Sequence, residues 1–422
     1  MTSEIKQRIE QIRRGEVPER YVKTALGLAP TDWKRYTFGD IYTERKEPGD
    51  ENLPLLMVSI HSGVSDGEVD AAELPKQVKR IEDKSQYKKA VSGDLVFNMM
   101  RAWQGAIGTV RTTGMVSPAY IVAEPNDKAY PLFMDYYSRT PQMINQIDRQ
   151  SYGVTDFRKR LYWDSFAPIS CTLPPIEEQQ KIATILTTQD RVIELKEKRF
   201  AEKQRQKKYL MQQLLTGKKR LPGFSGEWKN IKLCEVLSER KEKNVEQNLR
   251  ICSVAVQKGV VDQVEHLGRS YAANDTSNYS VAHYGDIIYT KSPTGDFLYG
   301  IVKQNLLQET VAVSPLYGVF TPLTFGLGYF LHTYFQSAIC ARNYLLPIVQ
   351  KGAKNTINIT NDTFISSKLY LPLDVEEQKA IADTFIAADR EIELLRQDIR
   401  QEKQKKKALM QLLLTGIVRV KT

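Results

Sequence analysis

Residues 177–217 recur without a gap at 376–416, and no other feature of this 422-residue chain restricts its fold so strongly. Glu177-Glu178-Gln179 returns as Glu376-Glu377-Gln378, Asp190-Arg191 as Asp389-Arg390, and Ile193-Glu194-Leu195 as Ile392-Glu393-Leu394. Lys207-Lys208 returns as Lys406-Lys407, and Leu214-Leu215-Thr216-Gly217 as Leu413-Leu414-Thr415-Gly416. About nineteen of the forty-one positions are identical, which marks an internal duplication. Weaker anchors precede each copy. Trp33-Lys34 and Glu44-Arg45-Lys46-Glu47 align with Trp228-Lys229 and Glu239-Arg240-Lys241-Glu242. Gly93-Asp94-Leu95-Val96-Phe97 aligns with Gly285-Asp286-Ile287-Ile288-Tyr289, and Val116-Ser117-Pro118 with Val313-Ser314-Pro315. The offset drifts between anchors, so one scaffold has been kept twice while its loops diverged.

The strongly repeated segments carry a helical period. Ile381, Phe385, Ile392, Leu395, Ile399, Leu409 and Leu413 lie on a seam of alternating fours and threes. The first copy puts Ile182, Leu186, Ile193, Phe200, Leu210 and Leu214 on the same seam, with Gln189, Lys196, Lys203 and Lys207 as polar interruptions. This is a coiled-coil pattern. Pro174-Pro175 and Asp374 suit the start of each helix, and Gly217 and Gly416 suit the left-handed residue that ends it. Each helix then spans some 39 residues, about 58 Å at ~1.5 Å per residue. Neither can bury its seam alone. An antiparallel pairing with pseudo-two-fold symmetry is the economical solution; a parallel one would require the connecting domain to span the full helix length.

The intervening segments read as mixed. Leu55–Ile60, Asp94–Met99, Tyr120–Ala123 and Ser170–Leu173 look like short strands, as do Ile251–Val256, Asp286–Thr290, Gly318–Thr321 and Lys368–Leu371. Pro131–Arg139, Gly326–Phe335 and Ser3–Arg14 look helical. The expected fold class is α+β: two globular mixed domains separated by two long antiparallel coiled-coil helices. The expected divisions are an N-terminal helical segment at 1–30, a first domain at 31–172 and a central helix at 173–220. A second domain at 221–370 and a C-terminal helix at 371–422 complete the chain.

Composition narrows the function. Lys and Arg number 60 against 50 Asp and Glu, a net charge of +10 that suits a polyanionic partner. Cys171, Cys234, Cys252 and Cys340 form no CxxC pair, and the four histidines do not join them at metal-ligand spacing. No apolar run approaches the ~18–20 residues of a bilayer span, and the polar start resembles no signal peptide, so a soluble cytoplasmic protein is expected. A GxxxxGK[ST] loop, a GxGxxG turn and an Asn-Pro-Pro-aromatic segment are all missing. Glu194-Leu195-Lys196 has nuclease-like spacing but lies mid-helix without an Asp partner.

The motifs resemble those of the specificity subunit of Type I restriction–modification systems. The resemblance rests on Leu173-Pro174-Pro175-Ile176-Glu177-Glu178-Gln179 and on Leu371-Pro372-Leu373-Asp374-Val375-Glu376-Glu377-Gln378. It continues in Leu214-Leu215-Thr216-Gly217-Lys218-Lys219-Arg220-Leu221-Pro222-Gly223-Phe224 and Gly226-Glu227-Trp228. At the N-terminus, Gly15-Glu16-Val17-Pro18 and Thr24-Ala25-Leu26-Gly27-Leu28-Ala29-Pro30 with Trp33 are similar too. The resemblance implies a non-catalytic subunit whose two target-recognition domains each read half of a bipartite, asymmetric site in double-stranded DNA. It implies two modification (methyltransferase) subunits and two restriction (motor-nuclease) subunits as partners. S-adenosylmethionine, ATP and Mg are then expected only on those partners, and no cofactor on this chain.

Reading a base edge requires Arg, Lys, Asn, Gln or a hydroxyl on an element that can enter a groove. Two loops recur at equivalent places. After the Gly-Asp strand stand Arg101 and Gln104 in the first copy and Lys291, Ser292 and Thr294 in the second. Before the last strand stand Tyr152, Thr155, Arg158, Lys159 and Arg160, matched by Lys351, Lys354, Asn355 and Asn358. Basic runs late in each helix, Lys203 to Lys208 and Lys403 to Lys407, read first as solvated faces and second as contacts to spacer phosphates. Gly93-Asp94 and Gly285-Asp286 read as turns.

Overall fold

The computed structural model describes residues 3–24, 27–60, 63–65, 86–153, 155, 158–269, 272–351 and 357–420. Contacts divide the chain into two units, Met1–Leu195 with Ile399–Thr422, and Lys196–Asp398. Each is a mixed α+β body, as the patterning predicts.

The first unit is organised by a four-stranded antiparallel sheet in the order Tyr42–Arg45, Tyr120–Pro125, Leu95–Asn98, Ile107–Thr109. Strand side chains alternate between faces, and here both faces are covered. Leu95, Phe97, Ile121 and Ala123 enter a large core with Phe133, Met134, Met143 and Ile147 from the helices Pro131–Tyr137 and Pro141–Arg149. Val96 and Val122 point the other way, into a smaller core with Leu56, Ala90 and Val116. The second unit repeats the plan. Its sheet runs Leu237–Glu239, Gly318–Pro322, Ile287–Tyr289, Val302–Gln304. Ile287, Tyr289 and Phe320 face the large core, and Ile288 and Val319 the small one.

Several features escape the patterning. The helices Pro141–Arg149 and Ala338–Leu345 are too short for a clear period, although Thr140 and Ser337 cap them by accepting from the amides of Met143 and Cys340. Strands Lys34–Thr37 and Trp228–Lys232 pair antiparallel with Ser170–Leu173 and Lys368–Pro372, closing each globular body on itself. The stretch expected as a strand over Leu55–Ile60 is broken in two: Leu55 bridges parallel to Met115, and Val58–Ser59 pairs antiparallel with Gly63–Val64. In the second unit, Arg250–Ala255 lies parallel to Val311–Val313.

Both long helices, Ile176–Leu214 and Val375–Leu413, run 39 residues. Their starts are tied to the globular bodies by equivalent glutamines. Gln179 donates to the Pro174 carbonyl (2.9 Å) and accepts from the Tyr130 amide (2.8 Å). Gln378 donates to Pro372 O (2.9 Å) and accepts from the Thr324 hydroxyl (2.7 Å). Each helix ends at a left-handed glycine, Gly217 (φ 67°) and Gly416 (φ 69°).

Within each unit, segments of the two helices pack antiparallel. In the first, Ile182 and Leu186 share a core with Leu409 and Leu413, while Gln189 donates to Glu402 (2.7 Å). In the second, Lys196 pairs with Asp398 (2.8 Å), Lys203 with Glu391 (3.0 Å) and Lys207 with Asp389, while Leu210 and Leu214 join Ile381 and Phe385. Ile193, Ile392 and Leu395 are buried; Phe200 and Ile399 are half-buried. The seam's polar positions are therefore partnered across the helices, Gln189 by a hydrogen bond and the lysines by ion pairs.

Among the described residues no helix is long and apolar enough to cross a membrane, and no group of His, Cys, Asp and Glu could hold a metal.

Candidate nucleic-acid interface

The two loops singled out in the first copy meet. Strand Leu95–Asn98 runs into a tight turn in which Asn98 Oδ1 accepts from the Met100 amide (2.8 Å). The Arg101 carbonyl then accepts from the amides of Gln104 (3.0 Å) and Ala106 (3.1 Å). Gly105, at φ 103°, closes the short 3-10 turn Ala102–Gln104 in a conformation that side chains rarely adopt. Ala102 is buried beneath it, which leaves Met100, Arg101 and Gln104 exposed. The second loop is a hairpin in which Tyr152 and Arg160 exchange backbone hydrogen bonds (2.8 and 2.7 Å). The Leu161 amide donates to Met99 O (2.9 Å), which sets the loops side by side.

Tyr152, Thr155 and Arg158 are exposed on this face, whereas Lys159 and Arg160 are half-buried. Lys159 Nζ donates to Asp148 (2.7 Å) and lies 5.0 Å from the centre of the Trp103 ring. Trp103 in turn donates its indole N–H to Met100 O (3.0 Å). Lys159 thus holds one loop against the other. Trp103 and Asp148 are the residues that sequence reasoning missed, and the spacing Arg101-x-Trp103-Gln104 was the available signal.

The second copy hangs different side chains on the same frame. Lys291 has a left-handed backbone (φ 57°) and is half-buried, with Gly300 so close that an added Cβ would lie 2.8 Å from its amide nitrogen. Burial holds its ammonium below the usual lysine range, and Glu239 opposes that shift. Beyond it, Thr294 and Phe297 exchange backbone hydrogen bonds (3.0 Å each), and the buried Phe297 ring anchors the turn. Ser292 and Thr294 are exposed on it. Lys351 and Asn358 stand in the two-stranded ribbon Gln350–Lys351 with Ile357–Asn358. Lys354 and Asn355 lie outside the described residues. Asn361, just after the ribbon, donates to Glu239 (2.5 Å), tying it to the element beside Lys291.

The frame that carries both loops is the same, with its Gly-Asp turn at the other end of the strand from the first loop. Arg45 grips the buried Asp94 with Nε (2.8 Å) and Nη2 (3.3 Å), and Arg240 grips the buried Asp286 likewise (2.6 and 3.2 Å). Each aspartate also accepts a backbone amide, from Val91 or His283, across a turn whose glycine, Gly93 or Gly285, has positive φ. The Gly-Asp motifs are turns held by buried ion pairs. What differs is the chemistry at the rim. Guanidinium, amide and phenol groups crown the first copy, and hydroxyls with a lysine crown the second. Guanidinium and amide groups can each make bidentate contacts to a purine edge, and hydroxyls bond to either base of a pair.

The basic runs are partly spoken for. Lys203 and Lys207 are paired with Glu391 and Asp389, Lys406 with Asp190, and Lys405 with Glu402 at 3.6 Å.

Comparisons with known proteins give the family and the fold. The family model described as "Type I restriction modification DNA specificity domain" matches residues 71–203 and 226–403. The "Type I restriction enzyme MjaVIII specificity subunit" of Methanocaldococcus jannaschii is 24% identical over 96% of this chain and 97% of its own length. The "Putative type I restriction enzyme MjaX specificity subunit" of the same organism is 23% identical over 96% and 98%. In fold, the chain is similar to the crystal structure of a Type-I restriction-modification system S subunit from M. genitalium. That match has a TM-score of 0.54 and 11% identity, and covers 92% of this chain and 97% of the other.

Proposed function

The chain belongs to the Type I restriction–modification DNA specificity family, and from that membership we propose that it reads a bipartite, asymmetric DNA site without catalysing a reaction itself. One recognition domain, over 31–172, contacts one half-site, and a second, over 221–370, contacts the other. The helical stretches 173–220 and 371–422 set the gap. Two modification subunits and two restriction subunits carry the S-adenosylmethionine, ATP and Mg chemistry and are positioned on the DNA by this chain. The observation that carries the reading is the contrast between copies. The Arg–Asp frame is duplicated almost atom for atom, while Arg101 and Gln104 are replaced at the rim by Lys291, Ser292 and Thr294. A scaffold kept twice with two different rims fits two unlike half-sites, joined so that the second contact becomes intramolecular.

Sequencing the methylome of cells that express the full chain with its modification subunits tests the proposal. The expected result is one bipartite motif with a single gap length. A motif without two separated halves would overturn it. Replacing Arg101 and Gln104 together by Ala is expected to relax one half-site only. Each bidentate contact discriminates by about 1–3 kcal/mol, so methylation at mismatched bases of that half rises on the order of 100-fold. Unchanged bases in both halves would remove these two side chains from the reading surface.

A second expectation concerns the gap. Four residues inserted after Asp190, matched by four after Asp398, keep every helix–helix ion pair described above with its own partner. Each helix is then longer by ~6 Å, and with base pairs about 3.4 Å apart the tolerated gap grows by one or two. An unaltered gap in the methylome would show that the helices do not set it.

A further inference from the structure

In each unit a tyrosine of the globular body and a lysine of one long helix meet on an aspartate of the other. Tyr136 donates its hydroxyl to Asp190 Oδ2 (2.6 Å), and Lys406 Nζ pairs with Asp190 Oδ1 (2.5 Å). Lys406 also lies 5.4 Å from the centre of the Tyr136 ring. Tyr329 donates to Asp389 Oδ2 (2.9 Å), and Lys207 Nζ pairs with Asp389 Oδ1 while donating to Gln336 Oε1 (2.8 Å). Asp190 and Asp389 are equivalent positions of the repeat, and so are Lys207 and Lys406. Each copy therefore supplies the aspartate of its own set and the lysine of the other. Both tyrosines are almost wholly buried, and burial together with the neighbouring carboxylate holds each hydroxyl protonated as a donor.

The sets connect the reading loops to the helices by a short path. Tyr136 lies on the helix Pro131–Tyr137, which is fastened to the sheet by Thr109: its amide donates to Asp135 Oδ1 (3.0 Å) and its hydroxyl to Pro131 O (2.8 Å). Thr109 ends the strand that pairs with Leu95–Asn98, from which the Arg101 turn departs. In the second unit Gln304 occupies the same place, its amide donating to His332 Nδ1 (3.0 Å) on the helix that carries Tyr329. A charge-assisted hydrogen bond is geometrically specific, and the charged side chains of both sets are about a third exposed or less.

We infer that Tyr136–Asp190–Lys406 and Tyr329–Asp389–Lys207 are positioning residues that fix the angle at which each recognition domain stands on its helix segments, and so restrict the protein to one spacing between half-sites. The inference rests on the bipartite reading proposed above. Loosening one set lets its domain rock on the helices and engage half-sites one base pair nearer or farther, while the bases read stay the same.

The test uses the full chain co-expressed with its modification subunits, with the gap distribution read from the methylome. Lys406→Met is expected to raise methylation at gaps one base pair shorter and longer at least tenfold, with both half-sites unaltered. The charge-exchanged D190K/K406D chain is expected to return toward a single gap. As a control, Arg250→Met breaks ion pairs with Asp262 and Glu309 that involve neither the long helices nor the reading loops, and leaves the gap unchanged. Should Lys406→Met fail to fold, Tyr136→Phe keeps the ring and removes only the hydroxyl, and a broadening of about threefold is expected. A folded Lys406→Met chain, or Tyr136→Phe in its place, that keeps the single gap overturns the inference. A wild-type chain that yields no bipartite motif overturns the reading on which it rests.

Discussion

Replacing Arg419 by Met is expected to cost the first unit about 3 kcal/mol and the second unit almost nothing. Glu178, near the start of the central helix, is 1% exposed. Arg419 reaches it with Nε (2.8 Å) and Nη2 (2.7 Å), and meets the exposed Asp32 with Nη1 and Nη2 (2.8 Å each). Removing the guanidinium leaves a buried carboxylate whose one remaining hydrogen bond among the described residues is a long one from the Val420 amide (3.4 Å). Breaking a buried pair from one side is costly because the remaining charge stays desolvated, whereas replacing both partners by apolar groups is often nearly neutral. The double variant R419M/E178L should therefore recover most of the loss. The Asp32 contact contributes little, since it faces water. Hydrogen exchange resolves the units: protection should fall in strands Leu95–Asn98 and Tyr120–Pro125 and persist in Ile287–Tyr289 and Gly318–Pro322. Equal loss in both sets of strands would contradict the division of the chain. The second unit has the equivalent grip, Arg220 on the buried Glu377, to which the Trp228 indole also donates (3.1 Å).

Phe364→Ala is expected to remove about 4 kcal/mol from the second unit. The ring is fully buried and has four aromatic neighbours: Tyr289 at 4.5 Å between centroids, Phe320 at 5.2 Å, Tyr344 at 5.9 Å and Phe335 at 6.1 Å. A cavity among rigid rings closes poorly, so the transfer loss and the void loss add. Phe364→Leu keeps most of the volume and should cost under about 1.5 kcal/mol. Tyr344 donates to the Phe364 carbonyl (2.6 Å), a backbone contact that either variant retains. Because Phe364 sits between the Gln350–Asn358 ribbon and strand Lys368–Pro372, its loss should also weaken recognition of one half-site ahead of the other. Denaturant unfolding and the methylome measure the two effects separately. A Phe364→Ala chain as stable as the parent would mean that this cluster is not the core of its unit.

The parts legible in the sequence were those with long periods or paired copies. Two 39-residue helices, their glycine ends and the Gly-Asp turns follow from spacing and from the repeat. The partner of each polar seam residue did not follow. Lys207 and Lys406 stand in lysine-rich runs that read as solvated, and only the antiparallel register brings Asp389 and Asp190 against them. The same holds at the candidate interface. Lys159 looks no different in sequence from Arg158, yet a neighbouring helix places Asp148 beneath the one and leaves the other exposed. Short elements were lost for a different reason. Pro141–Arg149 buries only Met143 and Ile147, too few positions to define a period.

The closing strands of each globular body carry a consequence for how such chains change. Lys34 is paired with Leu173, and Trp228 with Pro372, so the two ends of each body leave it side by side. A body of some 140 residues can therefore be lifted out at two adjacent backbone positions and another grafted in without stretching what remains. Recombination between related genes needs crossovers only at these flanks, and on the C-terminal side of each body the flank adjoins the stretch most alike between copies. One exchange would replace a whole globular body and leave the rest of the chain untouched.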